Sequence, residues 1–184
     1  MIACVDVAYS DDVAFAGCVA FRSWTDAQAS EQIVQECGAA SAYVPGQFYL
    51  RELPPILTIL PALAAPPELV VIDGYVWLGA DQKGLGAHLH GALGERIAVV
   101  GVAKTEWRAS LRSGEPASRR AVSVSRGGSA KPLYVTAAGI AAEEAAAHVA
   151  TMHGAHRIPT LLKLVDRLVR EAAKMPRAVT SSGA

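Results

Sequence analysis

With 184 residues, 52% of them apolar, the chain is long enough to bury a sizeable core and falls in the size range of one domain. Its 17 basic residues balance its 17 acidic ones, which argues against a protein that coats nucleic acid through bulk positive charge. The distribution is uneven: nine acids face two bases (Arg22, Arg51) up to Asp73, whereas eight acids face fifteen bases from Gly74 onward.

The first run, Ile2 to Ala8, is strand-like and carries Asp6 with no basic stretch before it. It does not read as a signal peptide, and a cytoplasmic location is expected. Val13 to Arg22 is a second β-rich run, reached through the polar cluster Tyr9-Ser10-Asp11-Asp12. Gln32 to Cys37 fits a third strand, and the small, polar stretch from Gly38 to Gly46 reads as a loop. Phe48, Leu50, Leu53, Ile56, Leu57 and Leu60 recur at helical spacing, placing Glu52 near the start of a helix whose first turns Pro54-Pro55 should bend or interrupt. Those prolines, with Pro61, Pro66 and Pro67, also break the apolar stretch up to Ile72, so no membrane span is expected. Leu69 to Asp73 is a short apolar run ending in Asp-Gly, the pattern of a buried parallel strand that delivers an acid at its C-terminal end.

Gly84 to Leu93 is compatible with a helix, its glycines serving close packing, and Ile97 to Ala103 is another buried strand that delivers Lys104. This β-α-β alternation points to a central mixed sheet. Ala121 to Ser125 and Leu133 to Thr136 flank a Ser125-Arg126-Gly127-Gly128-Ser129 turn and should pair as a hairpin. Ala141 to Met152 reads as an alanine-rich helix, and Thr160 to Lys174 carries Leu161, Leu164, Val165, Leu168 and Val169 on one face with Asp166 beside them. Residues 1–175 are thus expected to form one domain and 176–184 a disordered tail. Lys104, Arg108, Arg112, Arg119, Arg120, Arg126 and Lys131 form either a phosphate-tracking surface or an ordinary solvated hairpin and loop.

Asp6 on the first strand, Asp73 at the end of the fourth and Glu52 on a helix are far apart in sequence, yet the two aspartates meet if their strands are neighbours. Two or three carboxylates plus phosphate oxygens suit Mg²⁺, a hard cation that keeps several waters. Zinc is disfavoured. Cys4, Cys18 and Cys37 lack paired spacing and read as buried thiols, His88 and His90 diverge on a helix, and His153 and His156 have no cysteine partner.

Five motifs stand in order and at approximately matching spacing: Val5-Asp6-Val7-Ala8-Tyr9, Tyr43-Val44-Pro45-Gly46, Leu50-Arg51-Glu52, Val71-Ile72-Asp73-Gly74 and Val100-Gly101-Val102-Ala103-Lys104; the similarity extends more weakly through Pro132-Leu133-Tyr134-Val135 and Arg157-Ile158-Pro159. In these the chain resembles the endonuclease V family. The resemblance implies an α/β, ribonuclease H-like fold with a central mixed β-sheet flanked by helices. It also implies cleavage of DNA or RNA near inosine, in nucleic-acid repair or processing, with Mg²⁺ as cofactor and Mn²⁺ as a substitute. Asp6, Glu52 and Asp73 would be metal ligands, Lys104 would place positive charge near the scissile phosphate, and Asp166 would join the catalytic set. Tyr43 and Pro45 would be the wedge that replaces an extruded base, and Gly46, Gly74, Gly84 and His88 would complete substrate binding.

The chain departs from the family pattern at four places. Gly74-Tyr75-Val76-Trp77-Leu78-Gly79 lacks the usual Gly-x-Gly and the His-Pro-Arg that follows; Gly86 replaces an alanine; Thr136-Ala137-Ala138-Gly139 replaces Ser-x-Gly-His; and Asp166 stands where a catalytic histidine is usual. A nucleic-acid-binding relative with altered cleavage and no inosine specificity is therefore the alternative reading.

Overall fold

In the computed structural model, residues 1–40, 44, 46–79, 82–107 and 119–175 are described. Tyr43, Pro45, Arg108, Arg112 and the tail 176–184, all named above, lie outside them.

Seven strands form one mixed sheet: β1 (Ile2–Ser10), β2 (Val13–Phe21), β3 (Glu31–Ala39), β4 (Leu69–Asp73), β5 (Ala98–Ala103), β6 (Val122–Val124) and β7 (Leu133–Ala138), in the spatial order β3-β2-β1-β4-β5-β7-β6. The centre is parallel, β1 on β4 and β4 on β5, and the flanks are antiparallel. The near-continuous apolar runs of the central strands follow from this position, since both of their faces are covered. The expected hairpin is present as β6 on β7, with Val122 opposite Val135.

Side-chain alternation along β1 sorts the core into two layers. Ile2 and Cys4 pack with α3 (Ala142–Thr151) and α4 (Thr160–Lys174), through Ala145, Val149, Leu161 and Val165. Ala3 and Val5 pack on the other face with α1 (Tyr49–Ile59) and α2 (Leu85–Ala92), through Ile56, Ile59 and Leu89. Pro54 and Pro55 do not interrupt α1, contrary to the sequence expectation. The Arg51 carbonyl that Pro55 cannot serve accepts instead from the Tyr9 hydroxyl at 3.0 Å. Among the described residues no helix is long and apolar enough to cross a membrane.

Candidate active site

The parallel register of β1 on β4 pairs Val5 with Ile72. One residue further on, the same register sets Asp6 beside Asp73, with both side chains on the α3 and α4 face. Asp73 ends β4 opposite Val102, and Lys104 follows the end of β5. Helix α4 lies across β1 and β2 and brings Asp166 to the same place. Asp6, Asp73, Lys104 and Asp166 line one cavity, floored by Val5, Val102 and Leu162. Asp73 ends β4, whereas Asp6 lies mid-way along β1, just past the point where its parallel pairing with β4 stops; the carboxyl end of such pairing is where an open α/β sheet places its ligands.

Glu52 arrives from the opposite face. It sits in the first turn of α1 and is only 7% exposed. Burial raises its carboxyl to about 7, and the charges of Asp6 and Asp73 add to the effect. Burial likewise raises Asp6 to about 6, helped by Asp73 and Asp166, while the Val7 N–H, which donates to Asp6 Oδ1 at 2.9 Å, and the Lys104 ammonium oppose it. The acids thus sense one another across the end of the sheet. Lys104 Nζ stands 2.5 Å from Asp73 Oδ2, and Arg170 Nε stands 2.9 Å from Asp166 Oδ1.

The all-oxygen, acid-rich donor set fits a hard divalent cation, and mutual repulsion among its members is what such an ion relieves. Nevertheless, among the described residues no three His, Cys, Asp or Glu side chains form a ready-made metal cage.

Asp73 also borders a second pocket, with Gly46, Phe48, Tyr49, Gly74, Tyr75 and Gly84. Three of the glycines singled out in the sequence therefore come together beside the carboxylates. Gly74 has φ of +132°, which side-chain-bearing residues rarely adopt. A Cβ on Gly84 would lie 2.4 Å from the Tyr75 carbonyl oxygen. Gly86, the mild departure from the family's alanine, has its own cause: a Cβ there would lie 2.6 Å from Val76 Cγ2. His88 stands behind this pocket, its ring stacked on Tyr49 at 3.6 Å between centroids, so it orients the wall.

The basic segment divides. Arg126 is only 8% exposed and points inward, donating to the carbonyls of Ala150 at 3.3 Å, Gly154 at 3.3 Å and Met152. It closes the C-terminal end of α3, where carbonyls lack partners, and it is removed from the phosphate-tracking set. Lys104, Lys131 and Arg157 instead line a shared groove. Arg157 donates to the carbonyls of Lys104 and, at 2.7 Å, of Pro132.

Tyr9, Tyr49 and Arg157 are site residues that the sequence did not single out for a role. Tyr9 and Arg157 lay inside quoted motifs, so a signal existed. Tyr49 offered only its place one turn before Glu52.

A mixed sheet in this strand order, with acids on its neighbouring central strands β1 and β4 and a helix carrying a further acid across one face, defines the ribonuclease H-like class. The sequence profile of endonuclease V matches residues 1–167, and endonuclease V of Streptomyces avermitilis is 33% identical over 187 residues, 92% of this chain and 79% of that protein. The chain belongs to the endonuclease V family.

Endonuclease V of Streptomyces coelicolor is also 33% identical, covering 92% of this chain and 78% of that protein. The crystal structure of the S. avermitilis protein superposes with a TM-score of 0.69 at 31% identity, covering 94% of this chain and 81% of that one. Ciona intestinalis endonuclease V, solved with a 23mer DNA containing an inosine followed by a ribo-adenosine, superposes with a TM-score of 0.79 at 19% identity, over 94% and 85% of the two chains. At that identity the likeness is one of fold.

Proposed function

We propose that this chain is a divalent-metal-dependent endonuclease that hydrolyses a phosphodiester bond 3′ to inosine in DNA or RNA. The observation that carries the reading is the placement of Asp6 beside Asp73 where the parallel pairing of β1 with β4 stops, with Lys104 and Asp166 in the same cavity.

Asp6, Glu52 and Asp73 would hold Mg²⁺, or Mn²⁺ in its place; the ion supplies Lewis acidity and an activated water for in-line attack. The chain's own contribution is position and charge. Lys104, held at Asp73 and able to swing because it is exposed, offers an ammonium to a phosphate oxygen. Asp166 adds negative charge facing Asp6. The near-neutral proton carrier that a histidine would provide at that place is lacking. The glycine-lined pocket lets a flipped base approach backbone at Gly74 and Gly84, and Phe48, Tyr49 and Tyr75 offer ring faces for stacking.

The test uses labelled single strands with one inosine, and matched strands without it, incubated with Mg²⁺ or Mn²⁺ and either wild type or Asp73→Ala. The expected result is nicking at the inosine that needs the ion and disappears in the variant. Nicking that survives Asp73→Ala, or is independent of metal, overturns the reading. A second reading, a relative that binds without cleaving, is favoured by the lack of a ready-made metal cage among the described residues and by Asp166. Tight binding without nicking would identify it.

A further inference from the structure

Tyr9 lies three residues beyond Asp6 on β1, so the pleat turns it to the other face of the sheet, toward α1. Its hydroxyl is 3.0 Å from the Arg51 carbonyl oxygen and 3.1 Å from Glu52 Oε1. The carbonyl is open for a local reason. Pro55 sits inside α1 and has no N–H for the residue four positions before it. The Arg51 guanidinium lies over the Tyr9 ring, 4.0 Å from its centroid, and fixes the plane of the ring from above. One phenolic proton therefore stands between a helix carbonyl and the buried carboxylate of Glu52.

We propose that Tyr9 is a positioning residue for the cation site: anchored between the open Arg51 carbonyl and the Arg51 guanidinium, its hydroxyl aims the Glu52 carboxylate at Asp6 and Asp73. The proposal rests on the metal-dependent reading of the site. Glu52 is the acid that must reach across from the opposite layer, and its free rotamers cost entropy each time an ion is bound. A donor fixed by the strand and a carbonyl freed by the proline remove that freedom beforehand. A partner hydrogen-bonded to a metal-ligating carboxylate is worth about 10- to 100-fold in metal affinity.

The experiment compares wild type, Tyr9→Phe, Pro55→Ala and the double variant, by Mn²⁺ binding to the free protein (electron paramagnetic resonance of unbound Mn²⁺), by thermal unfolding, and by nicking at graded Mn²⁺. Tyr9→Phe is expected to weaken Mn²⁺ binding about 10- to 100-fold while the rate at saturating Mn²⁺ changes far less. Adding Pro55→Ala returns an N–H to the Arg51 carbonyl, so the double variant is expected to recover the stability lost by Tyr9→Phe and not the Mn²⁺ affinity. Unchanged binding in Tyr9→Phe overturns the proposal, as does recovery of affinity together with stability, which would make Tyr9 a helix support only. Failure of wild type itself to take up Mn²⁺ would instead overturn the metal-dependent reading, and the proposal with it.

Discussion

Val76 and Thr136 are joined by a buried hydrogen bond across 60 residues of sequence, the Val76 N–H donating to Thr136 Oγ1 at 2.8 Å. Beside it the Trp77 indole donates to the Ala137 carbonyl at 2.9 Å. Two separate departures from the family pattern, after β4 and within β7, are therefore one contact. The segment following Asp73 is held to β7, and with it the Tyr75 side of the glycine-lined pocket. Thr136→Val keeps the shape of the side chain and leaves the Val76 N–H buried without a partner, at a cost of about 1 to 3 kcal/mol. Urea unfolding measures that loss. In a nicking assay the same variant is expected to raise KM more than it lowers kcat, because the base-facing wall moves and the carboxylates do not.

Lys104 separates stability from activity. Its ion pair with Asp73 is short but both side chains are well exposed, 43% and 38%, and pairs of that kind contribute little, about 0 to 1 kcal/mol. Lys104→Ala should therefore unfold close to the wild-type temperature. Loss of a positioned charge at a reacting phosphate costs far more, about 100- to 1000-fold in rate. Equal nicking by Lys104→Ala and wild type would remove Lys104 from the chemistry.

Burial of Asp6 and Glu52 gives the stability curve a definite slope. Their carboxyls are raised to about 6 and about 7, so between the ordinary carboxylate range and pH 7 the folded chain binds more protons than the unfolded one. Their contribution to stability is then largest below that range and falls as pH rises, flattening above about 7 once both groups are ionised in either state. Denaturant unfolding between pH 5 and 8 in chelator should show the decline. Glu52→Gln should flatten the upper part of it, and saturating Mn²⁺ should reverse its direction, since the ion binds the ionised acids.

What the sequence revealed depended on how local the cause was. The apolar runs Leu69 to Asp73 and Ile97 to Ala103 have one structural solution, a strand covered on both faces, so the positions of Asp73 and Lys104 could be read directly. Helix α1 was legible by spacing, but its continuity through Pro54 and Pro55 was not, because the partner for the Arg51 carbonyl comes from Tyr9 on another element. The same limit applies to Gly86, whose small size answers Val76. Charge runs gave number without direction. Seven basic residues between 104 and 131 look alike in sequence, and nothing near Arg126 announces that the free end of α3 lies over it.

That difference in direction makes two arginine-or-lysine substitutions behave oppositely. Arg126 donates to carbonyls at the C-terminal end of α3 and, at 3.5 Å, to the Arg157 backbone carbonyl, and is nearly inaccessible. Arg126→Met fills much of the same space without donors, so several buried carbonyls lose charge-assisted partners and stability should drop by about 2 to 3 kcal/mol. Nucleic-acid binding by the protein that remains folded should keep its salt dependence. Lys131 is exposed and shares a groove with Lys104 and Arg157, so Lys131→Ala should leave unfolding almost unchanged. Its effect should fall on binding: the slope of log affinity against log salt should shrink by about 1, the signature of one lost phosphate contact. A salt slope that responds to Arg126→Met and not to Lys131→Ala would place the nucleic-acid path on a different surface.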